Sequence, residues 1–336
     1  MARQHIRHKK KEMMKKALAA LAFLLLVSPG LFFMHRWENR DIVEIEPDHS
    51  GQQETGYLIY NDVKYEKKDV DTVLMIGIDK YASEVSYDSY NNQQQADFLL
   101  LLVMDEETKT CTPVHINRDT MTAVPVLSLS GEVIGTTEQQ ITLAHTYGSG
   151  KQDSCKNTVR ALSHLFWDEV NIQHYISTTM DAVQTINDLV GGVTVTVEDD
   201  FSGIDDTLVQ GQQVTLMGQH ALTFVRSRSG MEDSSNLARM ERQRQYLEGL
   251  RSGAIEKMES DALFALDALV QASDYIVSDC TVNQLSEIAS DVVNYEMRPI
   301  RQIESNAAIG EEFMEYHVDE EALTALLVEL FYKPVE

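Results

Sequence analysis

Cysteine is scarce, with three in 336 residues. Cys111, Cys155 and Cys280 form no Cys-x-x-Cys pair, and no Cys/His spacing matches a metal-binding motif. A zinc-finger class and a disulfide framework are therefore not expected; at most one disulfide is possible, and three unpaired thiols are the simplest state. Cations are also few: 28 Lys and Arg stand against 53 Asp and Glu, a formal net charge of −25. That charge is uneven. Residues 1–35 hold Arg3, Arg7, Lys9, Lys10, Lys11, Lys15 and Lys16 against Glu12, so this segment carries +6 and the remainder −31. A general nucleic-acid surface needs a broad basic face, and this chain lacks one. Internal repeats and low-complexity segments are absent as well. The composition, 43% hydrophobic and 24% charged, supports a folded core of one or two domains.

One long apolar run is present. Ala17 to Met34 contains 18 residues without a charge, enough to cross a hydrocarbon core of about 30 Å. The basic block before it and the acids after it place residues 1–16 in the cytoplasm, 17–34 in the membrane and 35–336 outside. A cleaved signal peptide is the competing reading, but no small-residue cleavage site follows and the apolar run resumes at Leu31. Residues 35–56 are polar and read as a stalk leading to a domain over 57–336.

Within that domain, Tyr57–Tyr65 reads as a hairpin around Asn61-Asp62. Val70–Ile78, Asp97–Met104 and Thr110–Ile116 are near-continuous apolar runs, the pattern of strands covered on both faces. Helical spacing marks Thr158–Phe166 and Met180–Leu189, the latter stopped by Gly191-Gly192. Val193–Val197 alternates as a strand does. A long helix spans Asn236 to about Met258, and further helices span Asp261–Val277 and Thr281–Asn294. Arg298–Ile303 and Glu315–Val318 read as closing strands, and Asp319–Phe331 as the final helix. Strands alternating with helices point to an α/β sandwich.

Phe224–Gln245 is the most unusual segment. It gathers Arg226, Arg228, Arg239, Arg242 and Arg244 in an otherwise acidic domain. Arg226 and Arg228 follow an apolar strand-like pair, where period-two spacing would put both on one side. Arg239 and Arg242 are three apart on a helix, with Gln243 four on from Arg239, and Asn236 is a candidate cap. The planar guanidinium fork suits phosphate oxygens. A solvated helix paired with Glu232, Asp233 and Glu241 is the plainer alternative. His115–Thr120 carries Arg118 and Asp119 just past a buried strand, at the rim where α/β sheets bind ligands; a simple Arg–Asp turn also fits. Asp79 and Asp97 flank buried strands, positions that suit Mg²⁺ or mere turn-capping. His145 offers acid/base chemistry or packing at a helix end.

In chain order these segments resemble the LytR-CpsA-Psr family. The resemblance rests on Leu74–Asp79, Ala96–Leu100, Asn117–Thr120, Leu143–Gly148, Leu189–Val193, Gly218–Arg228, Arg239–Gln243 and Tyr316–Glu321. It covers roughly residues 70–332 and implies a three-layer α-β-α fold around a central mixed sheet, with a deep apolar groove for a polyprenyl tail. The implied activity is transfer of a phosphate-linked glycopolymer, of teichoic acid or capsule type, from a polyprenyl-pyrophosphate carrier to peptidoglycan, assisted by Mg²⁺. By position, Asp97 would organise the metal with Asp79. Arg118, Arg226, Arg228, Arg239 and Arg242 would grip the pyrophosphate with support from Gln243, and Asp119 or Asp79 would orient the metal shell or the acceptor hydroxyl. Three positions depart from the family pattern: Gln95 and Ala96 replace an Arg-Ser pair, Asn117 replaces Pro, and Asn236 stands where many members have Asp. A non-catalytic polyprenyl-phosphate binder that regulates envelope biogenesis, and a hydrolase of pyrophosphate linkages, remain open alternatives.

Overall fold

The computed structural model describes residues 57–85, 92–228, 235–261, 264–310 and 313–335. The apolar run at 17–34 and the stalk at 35–56 lie outside them. No helix among the described residues is long and apolar enough to cross a membrane.

The described residues open with β1 (Leu58–Tyr60) and β2 (Val63–Lys67), the expected hairpin. Asn61 and Asp62 both take positive φ, 49° and 61°, the turn whose twist matches that of paired strands. Then come β3 (Val70–Ile78), β4 (Ala96–Asp105) and β5 (Thr110–Ile116). Val73, Leu74, Met75 and Ile76 are at most 1% exposed, so both faces of β3 are covered, as its unbroken apolar run demands. A second hairpin, β6 (Met121–Leu127) with β7 (Val133–Gln140), was not evident in the sequence. Its outer strand faces solvent and carries no apolar alternation.

Helix α1 (Gln152–Leu165) begins six residues before the expected Thr158. It precedes β8 (His174–Thr178) and α2 (Met180–Leu189). Gly191 and Gly192, at φ of 90° and 89°, stop α2 in the left-handed conformation that glycine adopts without strain. The strands β9 (Val193–Thr196) and β10 (Gln213–Leu216) pair with each other, and α3 (Gln219–Arg226) and α4 (Asn236–Ser260) follow. The helix expected over Asp261–Val277 is shorter: α5 spans Phe264–Ala272 and the chain then extends into β11 (Ile276–Ser278). Ile276 and Val277 are β-branched and pair with β8, a tertiary contact that outweighs local helical spacing. The remainder is α6 (Val282–Asn294), β12 (Glu296–Met297), β13 (Arg301–Gln302), β14 (Ser305–Ile309), β15 (Met314–Val318), α7 (Glu320–Phe331) and β16 (Tyr332–Pro334).

The central sheet is mixed, in the order β11-β8-β3-β4-β5-β12, with β13 also on β5. β3 runs antiparallel to β4 and parallel to β8. Side-chain alternation sends Leu74, Ile76, Leu99 and Leu101 to one face, against α1 and α7. Val73, Met75, Leu100 and Leu102 go to the other, against Leu285, Ile288 and Val292 of α6. A separate core around Phe201, Phe224 and Tyr246 unites α2 to α5 with the β9–β10 pair.

Candidate functional site

Asp97 is the second residue of β4 and Arg118 lies two residues past β5, so antiparallel pairing brings them to one end of the sheet. Arg239 arrives from the first turn of α4. The Asp97 carboxylate takes a guanidinium on each oxygen. Arg118 Nη1 pairs with Oδ1, and Arg239 Nη1 with Oδ2 at 3.0 Å while its Nη2 donates to the Asp97 carbonyl at 3.1 Å. Arg118 Nε donates to Asp119 Oδ1 at 3.1 Å. Behind this knot, Asn117 Oδ1 accepts from the Asp119 amide at 3.0 Å and from Asn236 Nδ2 at 2.5 Å. The departure at position 236 thus becomes a strut between the two segments. The cap of α4 is Ser235, whose side chain accepts from the Ala238 amide, rather than Asn236.

Arg239 is only 2% exposed. Burial, then the charges of Arg118 and Arg228, lower its guanidinium toward about 9. Two or more cations held this close are stable only with anions among them. Asp97 and Asp119 answer Arg118 and Arg239; a bound anion would answer Arg226 and Arg228.

Below the knot lies a cavity between the sheet and α2, α3 and α4. Its walls are mainly apolar, with Phe98, Val183, Ile186, Leu222, Leu247 and Leu250 among them, and Asp97, Arg226, Arg239 and Gln243 lie on the same lining. Gln243, Tyr246, Leu247 and Leu250 share one face of α4 at helical spacing. The sequence reading missed this wall; the helical spacing of Tyr246, Leu247 and Leu250 was the signal that could have found it, although the arginines dominate the segment.

The strand-like reading of the pair before Arg226 is overturned. Phe224 and Val225 belong to α3, Arg226 is its last residue, and Arg228 lies in the loop beyond. Both apolar residues are buried because the helix turns that side inward. Arg226 is exposed and Arg228 half-buried, and neither makes an ion pair among the described residues. Arg242 points elsewhere. Its Nε donates to the Phe224 carbonyl at 3.0 Å, Nη1 meets Asp199 at 2.5 Å, and Nη2 reaches the Ser227 carbonyl. It ties α4 to the segment bearing Arg226 and Arg228, as does Gln243 through the Val225 carbonyl at 3.2 Å. Arg244 pairs with Glu241 at the surface, the plain solvated arrangement; Glu232 and Asp233 lie outside the described residues.

Asp79 Oδ1 accepts from the Gln95 amide at 2.8 Å, and the Asp79 amide donates to the Gln95 carbonyl. This closes the loop that delivers Asp97. His145 is wholly buried, its Nδ1 3.1 Å from the Gln94 carbonyl, and burial pushes it down to about 4. It packs rather than titrates near neutrality. His115, tilted against Phe98 with ring centroids 5.0 Å apart, is pushed down to about 3 by burial and then by Arg239. The three cysteines are buried and free.

Several buried polar atoms around the knot make no hydrogen bond among the described residues. Arg239 Nε is an unspent donor; Asn236 Oδ1 and Gln243 Oε1 are unspent acceptors. Native interiors rarely leave such atoms unpaired. An anion accompanied by a hard cation would satisfy both kinds. Asp97, both of whose oxygens already pair with guanidinium groups, and Asp79 are the carboxylates that a Mg²⁺ ion would draw on, its shell completed by water and phosphate oxygens.

The LytR_cpsA_psr family model matches residues 34–330, and the chain belongs to this family. A relative from Oceanobacillus iheyensis, named polyisoprenyl-teichoic acid–peptidoglycan teichoic acid transferase TagU, is 28% identical over 244 residues, covering 70% of this chain and 67% of its own. The Bacillus subtilis transferase TagV is 25% identical over 275 residues, covering 80% and 63%. Among solved structures, TagT bound to LIIa-WTA aligns at a TM-score of 0.57 and 20% identity, over 78% of this chain and 90% of its own. A Streptococcus agalactiae protein aligns at 0.60 and 15%, over 78% and 86%. At these identities the structural likeness speaks to the fold, a mixed α/β domain around a mixed sheet.

Proposed function

We propose that this chain is a membrane-anchored, Mg²⁺-dependent phosphotransferase that moves a phosphate-linked glycopolymer from a polyprenyl-pyrophosphate carrier to peptidoglycan. The observation that carries the reading is the pair of guanidinium groups, Arg118 and Arg239, held on Asp97 at one end of a greasy cavity that Arg226 also lines. A polyprenyl diphosphate has this same polarity, an apolar chain joined to a concentrated negative charge. The transferase names of the relatives point the same way.

In this reading the lipid tail occupies the cavity, and the diphosphate meets Arg118, Arg226, Arg228 and Arg239. An acceptor hydroxyl attacks the phosphorus nearest the glycan, and the bond to the polyprenyl phosphate breaks. Charge grows on the departing phosphate, and fixed guanidinium groups stabilise that charge more in the transition state than before it. Asp97 holds Arg118 and Arg239 in place and, with Asp79, would hold the magnesium ion. The ion would neutralise diphosphate oxygens and sharpen the electrophile. Asp119 fixes Arg118 through Nε and would orient the acceptor hydroxyl. Arg242 and Gln243 brace the segment carrying Arg226 and Arg228. The anchor would keep the enzyme in the plane of its donor and so raise effective concentration.

The test is transfer of glycan from a synthetic polyprenyl-diphosphate donor to peptidoglycan by the purified full-length chain, with products read by mass spectrometry. The expected result is a phosphodiester-linked product, lost with EDTA and restored by Mg²⁺, and abolished in Arg118→Ala and Arg226→Ala while the fold is retained. Full activity in either variant would refute the assignment. Release of free glycan phosphate to water would favour a hydrolase, and donor binding without turnover a regulator.

A further inference from the structure

Away from this site, antiparallel pairing assembles a second cluster. Ser278 of β11 stands opposite Ile176 of β8, so the next residues along, Asp279 and Cys280, come up against Tyr175 and His174. The Tyr175 amide donates to Asp279 Oδ1 at 3.1 Å, fixing that carboxylate. His174 Nδ1 lies 3.5 Å from Asp279 Oδ1, and Cys280 Sγ lies 3.8 Å from the same oxygen. The three ligand atoms all fall within 4.8 Å of one another. His174 Nδ1 is buried and makes no hydrogen bond among the described residues. The other ring nitrogen faces Gln284 at 3.1 Å.

We propose that His174, Asp279 and Cys280 form a binding site for a divalent transition metal ion of the Zn²⁺ class. Around a tetrahedral Zn²⁺, with bonds of about 2.0 Å to nitrogen or oxygen and about 2.3 Å to sulfur, ligand atoms stand about 3.3–3.6 Å apart. The two distances measured need shifts of only a few tenths of an ångström. A thiol beside an imidazole selects a borderline-soft ion over Mg²⁺ or Ca²⁺, which prefer all-oxygen shells. Three protein ligands leave a fourth position for water. With the metal on Nδ1 the far imidazole nitrogen carries the hydrogen, so Gln284, whose Nε2 faces it here, would have to turn its amide oxygen toward it to fix the ring orientation. Asp279 is exposed, which gives the ion a way in.

The surroundings favour a cation. His174 also lines a neighbouring cavity with Asp71, Glu106 and Asp291. Burial, then the charge of Glu106, raises the carboxyls of Asp71 and Asp291, as expected of anions without enough counter-charge. Burial also lifts the Cys280 thiol to about 11, so binding must displace its proton. One thiol loses H⁺, one sulfur–metal bond forms, and one proton is released to solvent. Once bound, the ion would clasp the end of edge strand β11 to β8. His174 opens β8 and Thr178 closes it, so the cluster lies about 13 Å from the cavity wall at Thr178.

The experiment is titration of the purified full-length chain, freed of metal and kept reduced, with Co²⁺ and then Zn²⁺. One equivalent of Co²⁺ should produce a thiolate-to-cobalt charge-transfer absorption, and Zn²⁺ should abolish it. The band should vanish in Cys280→Ser, and affinity should fall at least tenfold in Asp279→Asn, whose exposed position leaves the fold intact. It should persist unchanged in Cys111→Ser and Cys155→Ser. Zn²⁺ should also raise Tm in the parent chain but not in Asp279→Asn. Absence of the band, its survival in Cys280→Ser, or full affinity in Asp279→Asn would overturn the proposal.

Discussion

Asp97 is the side chain on which the site turns, because among the described residues it alone answers two guanidinium groups. Replacing it by Asn keeps the shape and removes the charge. Arg239, almost fully buried, would then lack an anion, and breaking such a pair costs about 3–5 kcal/mol. Asp97→Asn should therefore lower stability by roughly that amount in urea unfolding, as well as abolish transfer. Unchanged stability would mean that Arg239 finds another partner. The buried histidines make a separate prediction about pH. His115 and His145 are held neutral by burial, at about 3 and about 4, against about 6.5 in an unfolded chain. Between those values the unfolded state binds the extra protons, so stability is full above pH 6.5 and is lost as pH falls toward 4. The slope is about 1.4 kcal/mol per pH unit for each histidine. Urea midpoints measured from pH 7 to 5 should show it, and His145→Gln should flatten the decline.

Among the elements, α4 and α3 do the most. α4 presents Arg239 at its start, sends Arg242 and Gln243 to brace the end of α3, and lines the cavity with Tyr246, Leu247 and Leu250. Its N-cap, Ser235, therefore secures both fold and site. Ser235→Ala should cost about 1 kcal/mol in thermal unfolding, with a loss of donor affinity that Ser235→Asp restores. Cavity and clamp can also be separated. Val183 of α2 lines the cavity and is only partly buried, so Val183→Phe should narrow it. Binding of a long-chain polyprenyl phosphate should weaken at least tenfold, while inorganic pyrophosphate binding stays the same. Equal weakening of both would argue against a tail in this cavity.

For the chain as a unit, the contrast lies between a basic, apolar start and an acidic remainder. Deleting residues 1–34 should leave a folded domain that still transfers glycan from a short-chain, detergent-soluble donor. On donor embedded in vesicles its rate should fall sharply. Equal rates on both donors would mean that the apolar run does not bring enzyme and lipid together.

Much of this architecture was written locally. The apolar runs of β3, β4 and β5 specify strands buried on both faces, and Gly191-Gly192 specifies the stop of α2, because period, burial and backbone freedom act over a few residues. Other features were not local. β11 is a strand because β8 accepts it. The outer strand β7 shows no alternation because both its faces meet water. Arg239 and Arg242, on one helix three residues apart, went to different partners because Asp97 and Asp199 reach them from distant stretches of chain. Amino-acid order alone fixed which side chains carry charge and which elements form. Pairing across the sheet and the packing of α4 against it selected which charges share one low-dielectric space, since a Coulomb interaction depends on separation in space rather than along the chain.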